Sequence, residues 1–511
     1  MISRRGVLIG GVSSLAFGAT GFEVEEQSLG ALREALERGA VTSRQLVASY
    51  LARIAKLDRG GPALKSVIEL NPEADQLAKV LDEERAAKRV RGPLHGIPVL
   101  VKDNLDTADQ LKTTAGSLAL LDAPAPKRDS FVVQRLREAG AVLLGKTNLS
   151  EWANLRGRMS TSGWSARGGL TRNPYVTTRN ASGSSSGSAV AVAASLCGAA
   201  IGTETDGSIV SPASMCGVVG FKPTLGLVSR AGIIPLAHSQ DTAGPMTRSV
   251  LDAALVLDAI AGVDPRDAAT VKAPKSAGRF VEALAGATLQ GARLGVVRRL
   301  VDANWNVAPV AQEALEALQR AGATLIDVEL SSRGYDDAEL EVLVFELKAD
   351  LDAYLSARGG PMKSVADVVA FNRAHAAQEL PFFGQQFFED AAARGPLSSP
   401  AYRAALAKCA QARTELHALL EKHQLAAVVA PTGAPAWLTD FANGDAFTFS
   451  FSTPAAVAGC PHVTVPMGFV GELPVSLSFV GAAWEDARVL ALGYAFEQVT
   501  KARKPPRYFA R

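Results

Sequence analysis

Two glycine-bounded segments of this chain match letter patterns that carry chemistry. Gly140-Ala-Val-Leu-Leu-Gly145-Lys146-Thr147 fits G-x-x-x-x-G-K-[ST], in which backbone N–H groups cradle phosphate beside a lysine. The four middle residues are apolar and follow an amphipathic segment, so they read as a buried strand rather than a curved loop. A nucleotide site is therefore not expected. Gly183-Ser184-Ser185-Ser186-Gly187 fits G-x-S-x-G, the strand-to-helix elbow that exposes a nucleophilic serine. In that reading Ser185 attacks, His462 is the base, and Asp440 or Asp445 orients it. An elbow needs a buried strand directly before it, however, whereas residues 173–182, NPYVTTRNAS, are polar and turn-like. The six histidines form no H-E-x-x-H, and Cys197, Cys216, Cys409 and Cys460 form no C-x-x-C. Neither a metal site nor a cofactor is expected.

The elements that must position such groups are legible as periodicities. From Ser28 to Leu57 apolar residues recur at helical spacing, with Thr42 and Ser43 as caps between two helices, and a third helix covers roughly 72–88. LHGIPVLVKDN reads as a buried strand ending at Asn104. A helix near 129–139 precedes the strand-like AVLLG, and alternation resumes with LGVV at 294–297 and TLIDVEL at 324–330. Residues 336–423 are helical in pattern and predict a covering lobe. The strands LAAVVAP, HVTVPMG and PVSLSFVG follow, and a helix around 484–502 closes the chain. The expected fold is α/β, a large mixed sheet covered by helices on both faces.

Composition narrows the function classes. Of 511 residues, 48% are hydrophobic and 20% charged, an ordinary globular balance that excludes rods and disordered tails. Lys plus Arg number 53 against 51 acids with no basic block, so nucleic acid is not an expected partner. Residues 1–22 set Arg4 and Arg5 before a glycine-diluted apolar run, with the small residues Ala16 and Gly18 beyond it. This is the layout of a twin-arginine export signal, too short to span a membrane. The expectation is an exported, periplasmic protein with no membrane association after signal removal and a single domain over 23–511.

From Ala181 to Thr224 the chain reads ASGSSSGSAVAVAASLCGAAIGTETDGSIVSPASMCGVVGFKPT, a Gly/Ser-rich loop, a small-residue helix, a Gly-Ser-Ile turn and a Gly-Phe-Lys-Pro-Thr segment in order. With HGIPVLVKDN, GKTNLSEWAN and GLVSRAGIIPLAHSQDTAGPMTRSV, it resembles the amidase signature family over most of 90–262. That resemblance implies a Ser-Ser-Lys triad of Lys102, Ser184 and Ser208, with Ser208 the nucleophile and Ser184 following a cis peptide bond. The physical reading agrees. A lysine can accept a proton only when neutral, and Lys102 ends an apolar strand where desolvation disfavours its ammonium. Asp103 should face the opposite side of a regular strand. Ser184 would relay the proton, and the Thr205-Asp206-Gly207-Ser208 turn would aim N–H groups at the carbonyl oxygen as an oxyanion hole. Cys216 reads as a buried structural thiol, and Asn154 as a substrate contact or a structural cap.

The chain departs from the common family pattern by carrying Glu204, Asp206 and Val210 where relatives have Asp, Gly and Arg; the arginine braces the turn in many of them. TETDGSIV, SQDTAGPM, FELKADLDAYL, VADVVAFNRAHAAQEL and AVVAPTGAPAW are similar to segments of the bacterial peptide amidases of that family. This implies a monomeric hydrolase that frees ammonia from small or short peptide amides, with a slot admitting only an NH2 leaving group. The 336–423 lobe and FTFSF at 447–451 are expected walls. The alternatives are an acylamidase or fatty amide hydrolase on the same triad, the glutaminase component of a tRNA-dependent amidotransferase, a non-catalytic binding protein, and the Ser185 esterase.

Overall fold

The computed structural model describes residues 22–274, 278–330 and 334–510. The export reading of residues 1–22 falls outside them except for Phe22. Thirteen strands occur among the described residues: β1 (Val67–Leu70), β2 (Pro98–Lys102), β3 (Val142–Thr147), β4 (Trp164–Ser165), β5 (Gly169–Leu170), β6 (Ala199–Glu204), β7 (Val219–Lys222), β8 (Thr242–Thr247), β9 (Arg293–Val296), β10 (Thr324–Asp327), β11 (Ala427–Pro431), β12 (His462–Val470) and β13 (Leu473–Val480). Eleven of them form one sheet in the order β1-β3-β2-β6-β8-β7-β12-β13-β11-β9-β10, while β4 and β5 pair separately. The sheet is mixed. β2 runs parallel to both β3 and β6, and β9 parallel to β10 and β11; the central β8, β7, β12 and β13 pair antiparallel.

Every residue of β2, β3 and β6 is buried, so both faces of that part of the sheet are covered, as near-continuous apolar strands require. The helices begin where capping chemistry predicts. Thr42 accepts the Gln45 N–H while the Gln45 side chain takes the Thr42 N–H, a complete capping box for the Ser43–Arg53 helix. Ser130 caps the Phe131–Glu138 helix through the Val133 N–H.

Residues 336–422 carry helices and no strand among those described, the longest being Asp336–Arg358 and Pro400–Lys422. Val344, Leu347, Leu351 and Val368 of this region pack with Ala119, Leu120, Trp152 and Ile234 in a cluster separate from the sheet's core. Among the described residues, no helix is long and apolar enough to cross a membrane.

Candidate active site

Two neighbouring parallel strands, β2 and β6, end side by side, and the loop before the Ser186–Ala193 helix lies across them. Lys102, the last residue of β2, is fully buried. Its Nζ lies 2.7 Å from Ser184 Oγ, 3.0 Å from Ser185 Oγ, 2.9 Å from Thr203 Oγ1 and 3.2 Å from the Thr203 carbonyl oxygen. Burial lowers the Lys102 pKa from 10.5 to about 7, against the charges of Asp241 and Glu204, which raise it.

The hydrogen-bond directions around this amine are nearly fixed. The Ser185 hydroxyl donates to the Thr203 carbonyl (2.9 Å) and accepts the Thr203 N–H (3.1 Å), so towards Lys102 it can only accept. The Thr203 carbonyl also only accepts. A neutral amine thus spends its two N–H groups on Ser185 and Thr203, and its lone pair faces the hydroxyls of Ser184 and Thr203, of which Ser184 is nearer. Thr203 Oγ1 receives the Asn104 amide (3.0 Å) and keeps its own O–H for the amine. Asp103 turns to the other side, as alternation requires. Its carboxylate takes the Thr114 hydroxyl and the Gly116 N–H and lies 3.4 Å from Arg167.

The peptide bond between Gly183 and Ser184 is cis. Ser208 lies on the turn after β6, 8% exposed, and lines a cavity of about 490 Å³ with Ser182, Gly183, Thr205, Asp206 and Gly207. Its hydroxyl has no partner among the described residues; the turn joins the serine loop through the Ser185 N–H, which donates to the Ser208 carbonyl (3.1 Å). Lys102 and Ser184 are therefore directly bonded, and Ser208 adjoins them through the backbone.

The substitutions Glu204, Asp206 and Val210 have a structural counterpart: carboxylates brace this turn. Glu204 accepts the N–H groups of Ile209 (2.7 Å) and Val210 (3.0 Å). Asp241 accepts the Thr205 hydroxyl (2.5 Å), the Gln240 amide donates to the Thr205 carbonyl (3.2 Å), and Asp206 accepts the Thr453 hydroxyl (2.7 Å). No acceptor among the described residues takes the N–H of Asp206, Gly207 or Ser208. Gly207 sits at φ +78°, and a Cβ there would stand 2.9 Å from Ser452 Oγ, so both dihedral and space require glycine. Burial pushes the Asp206 carboxyl above the usual carboxylate range, against the hydrogen bonds from Ser452 and Thr453.

A second brace reaches into the helical region. Gln240 also donates to Glu339 (2.7 Å), Ser239 N–H to Glu346 (2.9 Å), and His238 N–H to Asp350 (2.9 Å). His238 Nδ1 lies 2.9 Å from Asp350, and Nε2 lies 3.4 Å from Glu346. These three side chains could converge on a cation. The Asp350 hydrogen bond, and after it the Glu346 charge, raise the imidazole pKa against burial, which favours the protonated form between the two carboxylates.

The opposite wall departs furthest from expectation. Trp152, Ala153 and Asn154 adopt φ of 51°, 54° and 74°, three successive left-handed residues without a glycine. Flanking groups hold them there. Glu151 pairs with the buried Arg156, whose Nη1 also donates to the Glu379 carbonyl (2.7 Å), while Trp152 N–H donates to Ala115 (3.0 Å). Arg156→Ala leaves the buried Glu151 carboxyl, which burial already pushes up to about 8, and the Glu379 carbonyl without their guanidinium, and should destabilise the fold by about 1–3 kcal/mol, read as a lower melting temperature in calorimetry; an unchanged transition would show that the pair is not needed. Asn154 lines the cavity and accepts the Ser160 hydroxyl (3.1 Å). Of the expected walls, FTFSF contributes Phe447 and Ser450, and the helical region Leu343 and Phe387; residues 153–162, which periodicity leaves unmarked, contribute more than either.

The rival motifs dissolve. Residues 142–147 are strand β3, and Lys146 donates to the Leu105 carbonyl (2.5 Å) and the Thr113 hydroxyl (2.9 Å). His462 lies on β12 with Nε2 2.6 Å from Ser478 Oγ, and its Nδ1 has no partner among the described residues. Asp440 caps its own loop and Asp445 takes the Ser162 N–H and hydroxyl, so no Ser185-His462-acid relay is assembled. Cys216 is buried, with its thiol pushed up by desolvation.

Comparison with known proteins agrees with this architecture. The Amidase family model matches residues 45–490. A probable amidase of Arabidopsis thaliana is 40% identical over 98% of this chain and 95% of its own length, and one of the chains of the Synechococcus glutamyl-tRNA(Gln) amidotransferase is 37% identical over 91% and 96%. The crystal structure of native peptide amidase from Stenotrophomonas maltophilia is similar at 50% identity and a TM-score of 0.90, covering 95% of this chain and 99% of that one. The peptide amidase PAM bound to the competitive inhibitor chymostatin reaches 0.93 at the same identity over 95% and 100%. This chain belongs to the Amidase family and is an amide-hydrolysing enzyme.

Proposed function

We propose that this enzyme hydrolyses the C-terminal carboxamide of peptides, with Ser208 as nucleophile, Ser184 as relay and Lys102 as base. The observation that carries the chemistry is the buried Lys102 amine 2.7 Å from the Ser184 hydroxyl, with the neighbouring Ser185 hydroxyl already spent on the Thr203 carbonyl. Ser208 Oγ attacks the carbonyl carbon as its proton passes to Ser184 and the Ser184 proton passes to Lys102. The carbonyl oxygen becomes an oxyanion facing the N–H groups of the Asp206–Ser208 turn. Collapse breaks the C–N bond, the relay returns the proton to nitrogen, and ammonia leaves. Water then attacks the acyl-enzyme through the same relay, giving a peptide carboxylate and free Ser208. No step calls for a cofactor, and a single chain supplies every group.

The peptide-amide preference draws support from the 50% identity to peptide amidase, and a slot that admits only NH2 as leaving group would account for it. The leader reading makes the chain without residues 1–22 the form to assay. Ammonia should be released from an amidated dipeptide, with none of the corresponding amine from its N-methylamide. Equal cleavage of the two would overturn the slot, and preference for simple anilides over peptide amides would favour the acylamidase reading.

A further inference from the structure

The cavity that holds the Ser208 turn carries a set of apolar side chains among its polar ones, and the outermost of them are left in water. Leu155, Leu236 and Leu343 are buried along it and Phe387 is half-buried, while Met159 is 54% exposed and Phe447 47% exposed at the mouth. Side chains of this size are normally covered, and exposed ones gathered in a concave site mark a place where an apolar partner gains by covering them.

This wall is built rather than loose. Phe447 meets the buried Trp437 edge-on at 5.6 Å. The two loops that carry Met159 and Phe447 are fastened together: the Ser162 N–H donates to Asp445 (3.0 Å), the Thr161 hydroxyl donates to the Asp440 carbonyl (3.2 Å), and Gly444 packs so close to Met159 that a Cβ would stand 3.0 Å from its carbonyl oxygen. The charges nearby are already engaged. Asp445 is taken by Ser162, and Arg158 is paired with Asp390 at 2.9 Å. Asp445 beside Phe447 is therefore already spent, and among the described residues the other carboxylate lining the cavity, Asp206, belongs to the Ser208 turn, where it accepts the Thr453 hydroxyl.

We propose that Met159 and Phe447 seat the side chain of the residue bearing the scissile carboxamide, and that the enzyme selects peptides whose amidated last residue is bulky and apolar. The inference rests on the carboxamide reading above. With the carbonyl carbon at Ser208 and NH2 in the slot, the Cα substituent is the first substrate group to leave the turn and meet the facing wall.

The test is kcat/KM for ammonia release from N-acetylated amides of glycine, norleucine, phenylalanine, lysine and glutamate, with the leaderless enzyme and its Met159→Ser/Phe447→Ser variant. The parent enzyme should favour phenylalanine and norleucine over glycine by about tenfold or more, the scale set by burying a few methylene equivalents. Lysine and glutamate should not share the advantage. In the variant the phenylalanine-to-glycine ratio should fall below about threefold. Equal rates for glycine and phenylalanine amides in the parent, or an undiminished ratio in the variant, would overturn the seat while leaving the carboxamide reading standing. Phe447→Leu, which keeps an apolar group, should retain part of the ratio, and a loss as complete as with serine would also count against the seat. Ammonia from none of the five would overturn the carboxamide reading itself.

Discussion

Ser208→Ala is expected to lower kcat by about 10⁴–10⁶-fold with the fold intact, because removing a nucleophile that works as one unit with its base leaves only binding and the oxyanion donors. The hydroxyl has no structural partner among the described residues, and Ser208's backbone carbonyl, which tethers the serine loop, survives the change. The melting temperature should stay close to the parent's. A serine-directed phosphonylating reagent should label Ser208 in the parent and nothing in the variant. Labelling that moves to Ser185, or activity retained within tenfold, would defeat the assignment.

The second large effect concerns Lys102. Its pKa of about 7 means that the amine is protonated in mild acid and cannot accept from Ser184, so kcat should rise with pH through about 7 and level off above it. Lys102→Met should cost about 10²–10⁴-fold in kcat and abolish that rise. Stability supplies an independent sign. A lysine whose folded pKa lies below its unfolded value destabilises the fold fully below about pH 7, and the penalty disappears as pH climbs towards 10.5. Melting at pH 6 should therefore find Lys102→Met at least as stable as the parent. An inactive variant that is also much less stable there would mean that the lysine holds the structure rather than the proton.

Lys102 is legible in the sequence because it ends an apolar strand that runs straight into a lysine and a pair of polar residues, and alternation alone turns Asp103 away. Its partners are harder to read. Ser185 looks like a nucleophile by pattern, yet its hydroxyl is spent on Thr203, a fact that depends on β6 lying beside β2. That adjacency is hidden, since small residues run without a break from Ser188 to Ala200. The chain ends the helix at Ala193 and begins a strand at Ala199, and alanine and glycine fill both without a period to separate them. β7 and β8 carry glycine and proline at positions where apolar alternation would have marked them. Asn154 stands out in its segment, but the left-handed run that presents it is invisible, because Trp, Ala and Asn give no local signal for φ > 0 and are held there by Glu151, Arg156 and Glu379. The braces at Gln240 and Asp241 likewise join residues some 35 positions from Thr205, a pairing that only the folded chain brings about.

The tie between the Asp336–Arg358 helix and residues 238–241 bears on how specificity can be re-engineered. Exchanging the helical region for a relative's, to change which substrates are admitted, would remove Glu339, Glu346 and Asp350 and so loosen the loop that steadies Thr205. Turnover number and substrate choice are thus inherited together in this scaffold, and a graft keeps its speed only when both sides of that joint are transplanted as a set.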